Sequence, residues 1–114
     1  MGRLTSHVLD TTSGRPAAGM VVDLLDAAGN RIVRATTNGD GRFDRPLLEG
    51  DAFKAGRYRL QFHVAQYFRV RGVELPEPPF LDVVTLDFGI AERSAHYHVP
   101  LLVSPYSYST YRGS

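Results

Sequence analysis

Tyr58, Leu60, Phe62 and Val64 alternate with Arg57, Arg59, Gln61 and His63, the two-residue period of a strand with one face in a core and the other toward water. The period returns in Val84, Leu86, Phe88 and Ile90. It returns again in Ala95, Tyr97, Val99 and Leu101, which leaves His96, His98 and Pro100 on the opposite face. Further β-like runs cover residues 4–10, 20–26, 31–37 and 106–112, and the breaker clusters between them carry Gly, Pro, Asn and Asp. In Asn38-Gly39-Asp40-Gly41 two turn dipeptides overlap, the chemistry of a tight hairpin from which Arg42 and Phe43 emerge. Ser104-Pro105 is a second turn, which lets residues 95–103 and 106–112 pair. Over residues 65–71 the alternation breaks: Gln66, Tyr67, Phe68 and Arg69 fit one or two helical turns, with Gly72 where a helix stops. Pro76, Pro78 and Pro79 exclude regular structure beyond it. The pattern predicts an all-β fold of about eight strands with one short helix, not alternating β and α units.

Composition narrows what such a fold does. A chain of 114 residues, 43% hydrophobic, fills one core, so residues 1–114 are expected to form a single domain. Lys and Arg number 13 against 12 Asp and Glu, with no basic run, so neither a nucleic-acid backbone nor an anionic membrane is an expected partner. Cysteine is absent, which removes disulfides, thiolate metal sites and thiol nucleophiles. No apolar stretch has the length of a signal peptide or a bilayer span, and the expected location is cytoplasmic.

Three groups of residues carry candidate chemistry. Histidine exchanges protons near neutral pH. His7 shares a strand face with Thr5 and Leu9, away from Leu4 and Val8, while His96 and His98 face away from the core; His63 reads as a surface or structural histidine. His96 and His98 with His7 suggest a zinc site only weakly, since no acidic or thiolate ligand lies beside them in sequence. The second group is the tail, where Tyr108, Ser109, Thr110, Tyr111, Arg112, Gly113 and Ser114 gather hydroxyls, an aromatic and a guanidinium. An edge strand kept soluble by polar groups accounts for its serines but not for the closing Arg-Gly-Ser. The third is arginine, whose planar fork holds an oxyanion or ring carbonyl in fixed geometry. Arg42 is aimed by a turn, whereas Arg31, Arg34, Arg57 and Arg59 read as solvated charge. A two-carboxylate pair, a Ser-His-Asp set and a G-x-S-x-G elbow are all missing, so any catalysis needs side chains from different strands to meet.

Leu4-Thr5-Ser6-His7-Val8-Leu9-Asp10 with Gly14-Arg15-Pro16-Ala17, the turn Asp40-Gly41-Arg42, the run His96-Tyr97-His98-Val99-Pro100-Leu101-Leu102, and the ending Ser104-Pro105-Tyr106-Ser107-Tyr108 with Tyr111-Arg112-Gly113-Ser114 resemble the 5-hydroxyisourate hydrolases. These landmarks span nearly the whole chain in order. The run 102–110 is also similar to transthyretin, a hormone carrier of the same fold; His7, Arg42, His98 and the terminal Tyr-Arg-Gly-Ser separate the two.

The resemblance implies a transthyretin-like β-sandwich of two four-stranded sheets with a short helix. It also implies a homotetramer, in which subunits join edge to edge, dimers pack face to face, and active sites lie at the mouths of the channel between them. The implied reaction opens the six-membered ring of 5-hydroxyisourate at an amide-like bond, giving 2-oxo-4-hydroxy-4-carboxy-5-ureidoimidazoline. Water would be the nucleophile, positioned and deprotonated by His7 and His98. Arg42 would hold the substrate and oppose the charge growing on the attacked oxygen, worth ~3 kcal/mol. Tyr111, Arg112 and Ser114 would bind the ring edge, and no metal or organic cofactor is expected. The alternatives are a non-catalytic carrier of small ligands, transthyretin-like, and a bare structural domain.

Overall fold

The computed structural model describes residues 2–113. Its strands are β1 (Arg3–Asp10), β2 (Arg15–Pro16), β3 (Val21–Asp26), β4 (Arg31–Thr36), β5 (Leu48–Glu49), β6 (Gly56–His63), β7 (Val83–Ile90), β8 (His96–Val103) and β9 (Tyr108–Thr110). One helix, α1 (Val64–Val70), follows β6. The strands form two sheets, one in the order β2-β1-β8-β9 with β5 added along β1, the other in the order β4-β3-β6-β7. The expected sandwich with one helix is present, and its first sheet has five strands rather than four. The additional pairings are two residues long, Leu9 and Asp10 with Pro16 and Arg15, and Arg3 and Leu4 with Glu49 and Leu48.

Alternation decides which side of each strand is buried. In β1, Leu4, Ser6, Val8 and Asp10 are buried while Thr5, His7 and Leu9 are half-buried on the other face. In β8, Tyr97, Val99, Leu101 and Val103 face inward. Against them the second sheet lays Val22, Leu24, Leu60, Phe62, Val84, Leu86 and Ile90, and α1 closes one end with Val64, Ala65, Tyr67 and Phe68. Each fully buried side chain of this kind contributes about 2 kcal/mol of transfer free energy. Buried polar groups are paired: Ser6 donates to the Val99 carbonyl, and Asp10 accepts from Tyr67 Oη and from the Thr12 and Ser13 amides.

β1 and β8 run parallel, and their register sets Arg3 opposite His96, Thr5 opposite His98 and His7 opposite Pro100. Two strands distant in sequence thereby present their outward residues on one face. All other pairings among the described residues are antiparallel.

Boundaries differ from the sequence pattern where a tertiary bond intervenes. Val64 continues the alternation of β6 but begins α1, because its amide and that of Ala65 both donate to the Asp82 carbonyl and end the β6–β7 ladder at His63 and Val83. The segment 38–42 is not the tip of a hairpin. The chain leaves the second sheet there and crosses to β1, where the Val8 amide donates to the Gly41 carbonyl at 2.8 Å. The final strand is shorter than its run, since residues 104–107 form the turn closed by the Ser104 amide and the Ser107 carbonyl. No helix of the described residues is long and apolar enough to cross a membrane.

Candidate active site

On the outer face of the first sheet a cleft of about 540 Å³ is lined by Arg3, Thr5, Ser6, His7, Arg42, Phe43, Asp44, Arg45, Pro46, His96, His98, Tyr111 and Gly113. Four separate segments converge there. β1 supplies Thr5 and His7, β8 supplies His96 and His98, the 38–46 segment supplies Arg42, and the tail supplies Tyr111.

At its centre, His7 Nδ1 lies 2.7 Å from His98 Nε2, and the two rings stack with centroids 4.9 Å apart. That distance is a hydrogen bond, so one proton is shared between the facing nitrogens. The other nitrogen of His98, Nδ1, is 2.7 Å from Thr5 Oγ1, and the same hydroxyl lies 2.8 Å from His96 Nε2. The parallel register produces this arrangement directly, since Thr5 stands across from His98 and one two-residue step separates it from His7.

Two glycines bring the other segments in. Gly41 adopts φ +71°, and a Cβ there would lie 2.5 Å from the Val8 carbonyl, so only glycine lets the loop dock on β1. The docking makes Arg42 a bridge partner of His7. At the tail, the Gly113 amide donates to the His98 carbonyl at 2.7 Å, and a Cβ on Gly113 would press on the His98 ring at 2.8 Å. Gly113 is thus pinned beside the histidine pair.

Among the described residues no carboxylate bonds to this pair. Burial, and then the nearby Arg42 charge, lower the His7 pKa. Burial followed by the neighbouring His7, Arg42 and His96 push His98 down to about 4. Both imidazoles are therefore neutral at physiological pH and hold lone pairs for a proton. The surroundings are positive, with Arg3, Arg42 and Arg45 on the cleft walls; Asp44 also lines them, and its Oδ1 accepts from Asn38 Nδ2. Such a site suits a small polar molecule that develops negative charge.

The structure brings together His7, Arg42, His98 and Tyr111 of the residues expected from sequence. Arg112 is placed differently. Its guanidinium lies over the Tyr97 ring, 4.0 Å from the centroid, with Nη2 3.5 Å from the His96 carbonyl. It lines a second depression with Thr85, Leu86 and Phe88. Ser114, the last expected substrate ligand, lies outside the described residues. His63 is structural, 2.9 Å from the buried carboxylate of Asp23, which Arg34 also grips in a fork at 2.7 and 3.0 Å. Sequence reading did not single out Thr5, Arg3 or Arg45 for the site. Thr5 already shared the His7 face, but threonine is a common strand residue and carries no signal alone.

Residues 4–113 match the HIUase/Transthyretin family. A 5-hydroxyisourate hydrolase 2 of Rhizobium meliloti (strain 1021) is 58% identical over 116 residues, which cover 99% of this chain and 97% of the relative. The structure of Klebsiella pneumoniae 5-hydroxyisourate hydrolase superposes with a TM-score of 0.86 at 34% identity, covering the whole of both chains. Sea bream transthyretin, solved in complex with thyroxine, superposes with a TM-score of 0.85 at 29% identity, over 97% of this chain and 94% of its own.

Proposed function

The chain belongs to the HIUase/Transthyretin family, and from that premise we propose that it hydrolyses 5-hydroxyisourate, with the His7–His98 pair as the base and Arg42 as the electrostatic partner. The observation that carries this reading is the 2.7 Å contact between two neutral imidazoles in a cleft that also holds a guanidinium. A carrier channel has no need of a proton acceptor beside a fixed positive charge.

Because His7 Nδ1 is engaged by His98, His7 Nε2 is the nitrogen left for a water molecule in the cleft. Water held there loses a proton to the imidazole as its oxygen attacks the carbonyl of the six-membered ring. Arg42 faces the oxygen on which negative charge gathers, a contribution of ~3 kcal/mol for one well-placed donor. Collapse of the tetrahedral species breaks the ring C–N bond, the nitrogen takes up a proton, and a carboxylate is left among the cleft arginines. Tyr111 is the tail residue that borders the ring of the substrate. Arg112, stacked on Tyr97, holds the tail in register, and Ser114, outside the described residues, is proposed as a ring-edge ligand. The scheme uses no metal or organic cofactor.

The assembly proposed with it is a homotetramer. β7 and β9 each have one sheet neighbour among the described residues, and Thr85, Leu86 and Phe88 of β7 line one depression with Thr110 of β9. Open strand edges of this kind invite pairing with a second copy. Face-to-face contact of two such dimers through the first sheet would set the histidine cleft at a channel mouth. Light scattering should give four chains per particle, and dilution to monomer should abolish activity while the strands stay folded.

The direct test is to generate 5-hydroxyisourate from urate with urate oxidase, add the protein, and follow the decay of substrate absorbance. Acceleration over the spontaneous reaction supports the reading. Its absence removes the enzymatic claim and leaves a non-catalytic carrier.

A further inference from the structure

The hydrogen bonds of the cleft do not end at the catalytic pair. From His7 Nδ1 they run to His98 Nε2 at 2.7 Å, through that ring to Nδ1, on to Thr5 Oγ1 at 2.7 Å, and from there to His96 Nε2 at 2.8 Å. A neutral imidazole has one N–H and one lone pair, and a hydroxyl donates one proton. The two links through the His98 ring therefore run in one sense or the other; the third runs on from Thr5 to His96 when His96 holds its proton on Nδ1 and leaves Nε2 as a lone pair. For His7 Nε2 to be an open lone pair, His7 carries its proton on Nδ1 and donates to His98 Nε2. His98 then carries its proton on Nδ1 and donates to Thr5, and with the His96 proton on Nδ1, Thr5 donates on to His96 Nε2.

We propose that Thr5 and His96 complete a proton relay: Thr5 sets the tautomer of His98, and His96 receives the proton that leaves the attacking water. The inference rests on the hydrolase reading of the same cleft. The transfer is balanced at each atom. Water gives a proton to His7 Nε2 as its oxygen bonds to the ring carbonyl. The Nδ1 proton of His7 passes to His98 Nε2, the Nδ1 proton of His98 to Thr5 Oγ1, and the hydroxyl proton of Thr5 to His96 Nε2. His96 ends as imidazolium, and His7, His98 and Thr5 each end with the number of protons they began with. The charge returns when the ring nitrogen released by C–N cleavage takes up a proton.

The relay answers a difficulty built into the site. A triad places a carboxylate behind the base to stabilise the cation formed there, but no carboxylate bonds to His7 or His98 among the described residues. The neighbourhood of the pair disfavours a cation, and burial with the Arg42 charge lowers both basicities. The relay moves the charge off the pair and two groups along the hydrogen-bond chain. The charged and titratable groups facing the chain are Arg3, across from His96 on β1, with Arg42, Asp44 and Arg45 on the loop wall, and Tyr111 and Arg112 on the tail. Thr5 is a positioning residue, since it acts through His98.

Four variants test the relay on the full chain: Thr5→Val, which keeps the branched shape and removes the hydroxyl; Thr5→Ser, which keeps the hydroxyl; His96→Gln, which keeps a hydrogen-bonding side chain but takes up no proton; and His98→Ala as reference. The readouts are kcat and KM for 5-hydroxyisourate from pH 5 to 8, and ¹⁵N spectra of the histidine rings, which report the tautomers. The relay predicts that Thr5→Val and His96→Gln each lower kcat by about tenfold or more, with KM within about twofold, and that Thr5→Ser stays near wild type. It also predicts Nδ1–H on His98 in the wild type and a mixture of tautomers in Thr5→Val. Wild-type kcat in His96→Gln overturns the relay even if Thr5→Val is slow. Nε2–H on His98 in the wild type overturns the assigned direction. A wild-type protein that does not accelerate hydrolysis, with the tautomers as described, would instead defeat the hydrolase reading and leave the hydrogen-bond chain standing.

Discussion

Histidine occurs on the outer faces of both sheets, in opposite electrostatic settings. On the second sheet, His63 meets the buried carboxylate of Asp23 at 2.9 Å, and Arg34 closes a fork on the same group. The Arg34 fork, with the His63 hydrogen bond behind it, holds the Asp23 carboxyl at about 2, against a desolvation that alone would raise it. On the first sheet, His7 and His98 meet each other with no carboxylate bonded to either among the described residues, and Arg42 stands close by. One cluster is satisfied and ties β3, β4 and β6 together. The other is left short of negative charge and so remains neutral, with lone pairs free for a proton, and open to a cleft. An acid partner makes a histidine structural here, and the lack of one keeps a pair of histidines available for chemistry.

Changes at the two clusters should therefore separate cleanly. The largest effects belong to the first sheet, where Arg42→Ala or His98→Ala should lower kcat/KM for 5-hydroxyisourate by roughly 10²–10³ while circular dichroism and melting stay close to wild type. At the second sheet Asp23→Asn should cost about 2 kcal/mol in denaturant unfolding at pH 7, with the rate per folded molecule unchanged. The sign follows from the depressed carboxyl: its stabilisation is complete above the unfolded value near 3.8 and is lost as pH falls toward 2. Acid titration of stability should show that loss in the wild type and not in Asp23→Asn.

Gly113→Ala should reduce kcat by about tenfold, one unit on the logarithmic scale or ~1.4 kcal/mol, because its Cβ would push the His98 ring at 2.8 Å without touching the core. The smallest effect is expected for His63→Gln, about 0.5–1 kcal/mol of stability and no change in rate. A catalytic loss in His63→Gln, or an unfolding loss in His98→Ala as large as that of Asp23→Asn, would erase the distinction between the two faces.

Much of this arrangement is legible in the sequence, and what is not has a physical reason. Strands β6, β7 and β8 announce themselves because one face of each is buried and the other wet, which forces a two-residue period. The same period assigns His7 and His98 outward. β2 and β5 are invisible, since two residues carry no period and their pairing is dictated by β1. Residues 38–42 have the composition of a hairpin turn, and only the close approach of Gly41 to the Val8 carbonyl reveals that the chain crosses between sheets there. Arg42 is aimed by a turn, as its sequence suggested, but its neighbour is fixed by that crossing. Arg112 and Tyr111 are neighbours in sequence, but only Tyr111 lines the histidine cleft, because the Arg112 guanidinium stacks on the Tyr97 ring, a contact no local pattern encodes. The role argued for Thr5 depends on the parallel pairing of β1 with β8, a contact between segments more than 90 residues apart that no local pattern encodes.

The central claim is that a neutral histidine pair, with no carboxylate behind it among the described residues, is the base that hydrolyses 5-hydroxyisourate. The measurement that meets it most directly is kcat/KM for wild type and His98→Ala across pH 4 to 8. Lowered histidine pKa values mean that the pair stays unprotonated as pH falls below the ordinary imidazole value of 6.5. The wild-type rate should hold level through neutrality, decline only in the acid range, and fall by roughly 10²–10³ in folded His98→Ala. No acceleration over spontaneous decay, an acid limb centred at or above pH 6.5, or an unchanged profile in His98→Ala would contradict it.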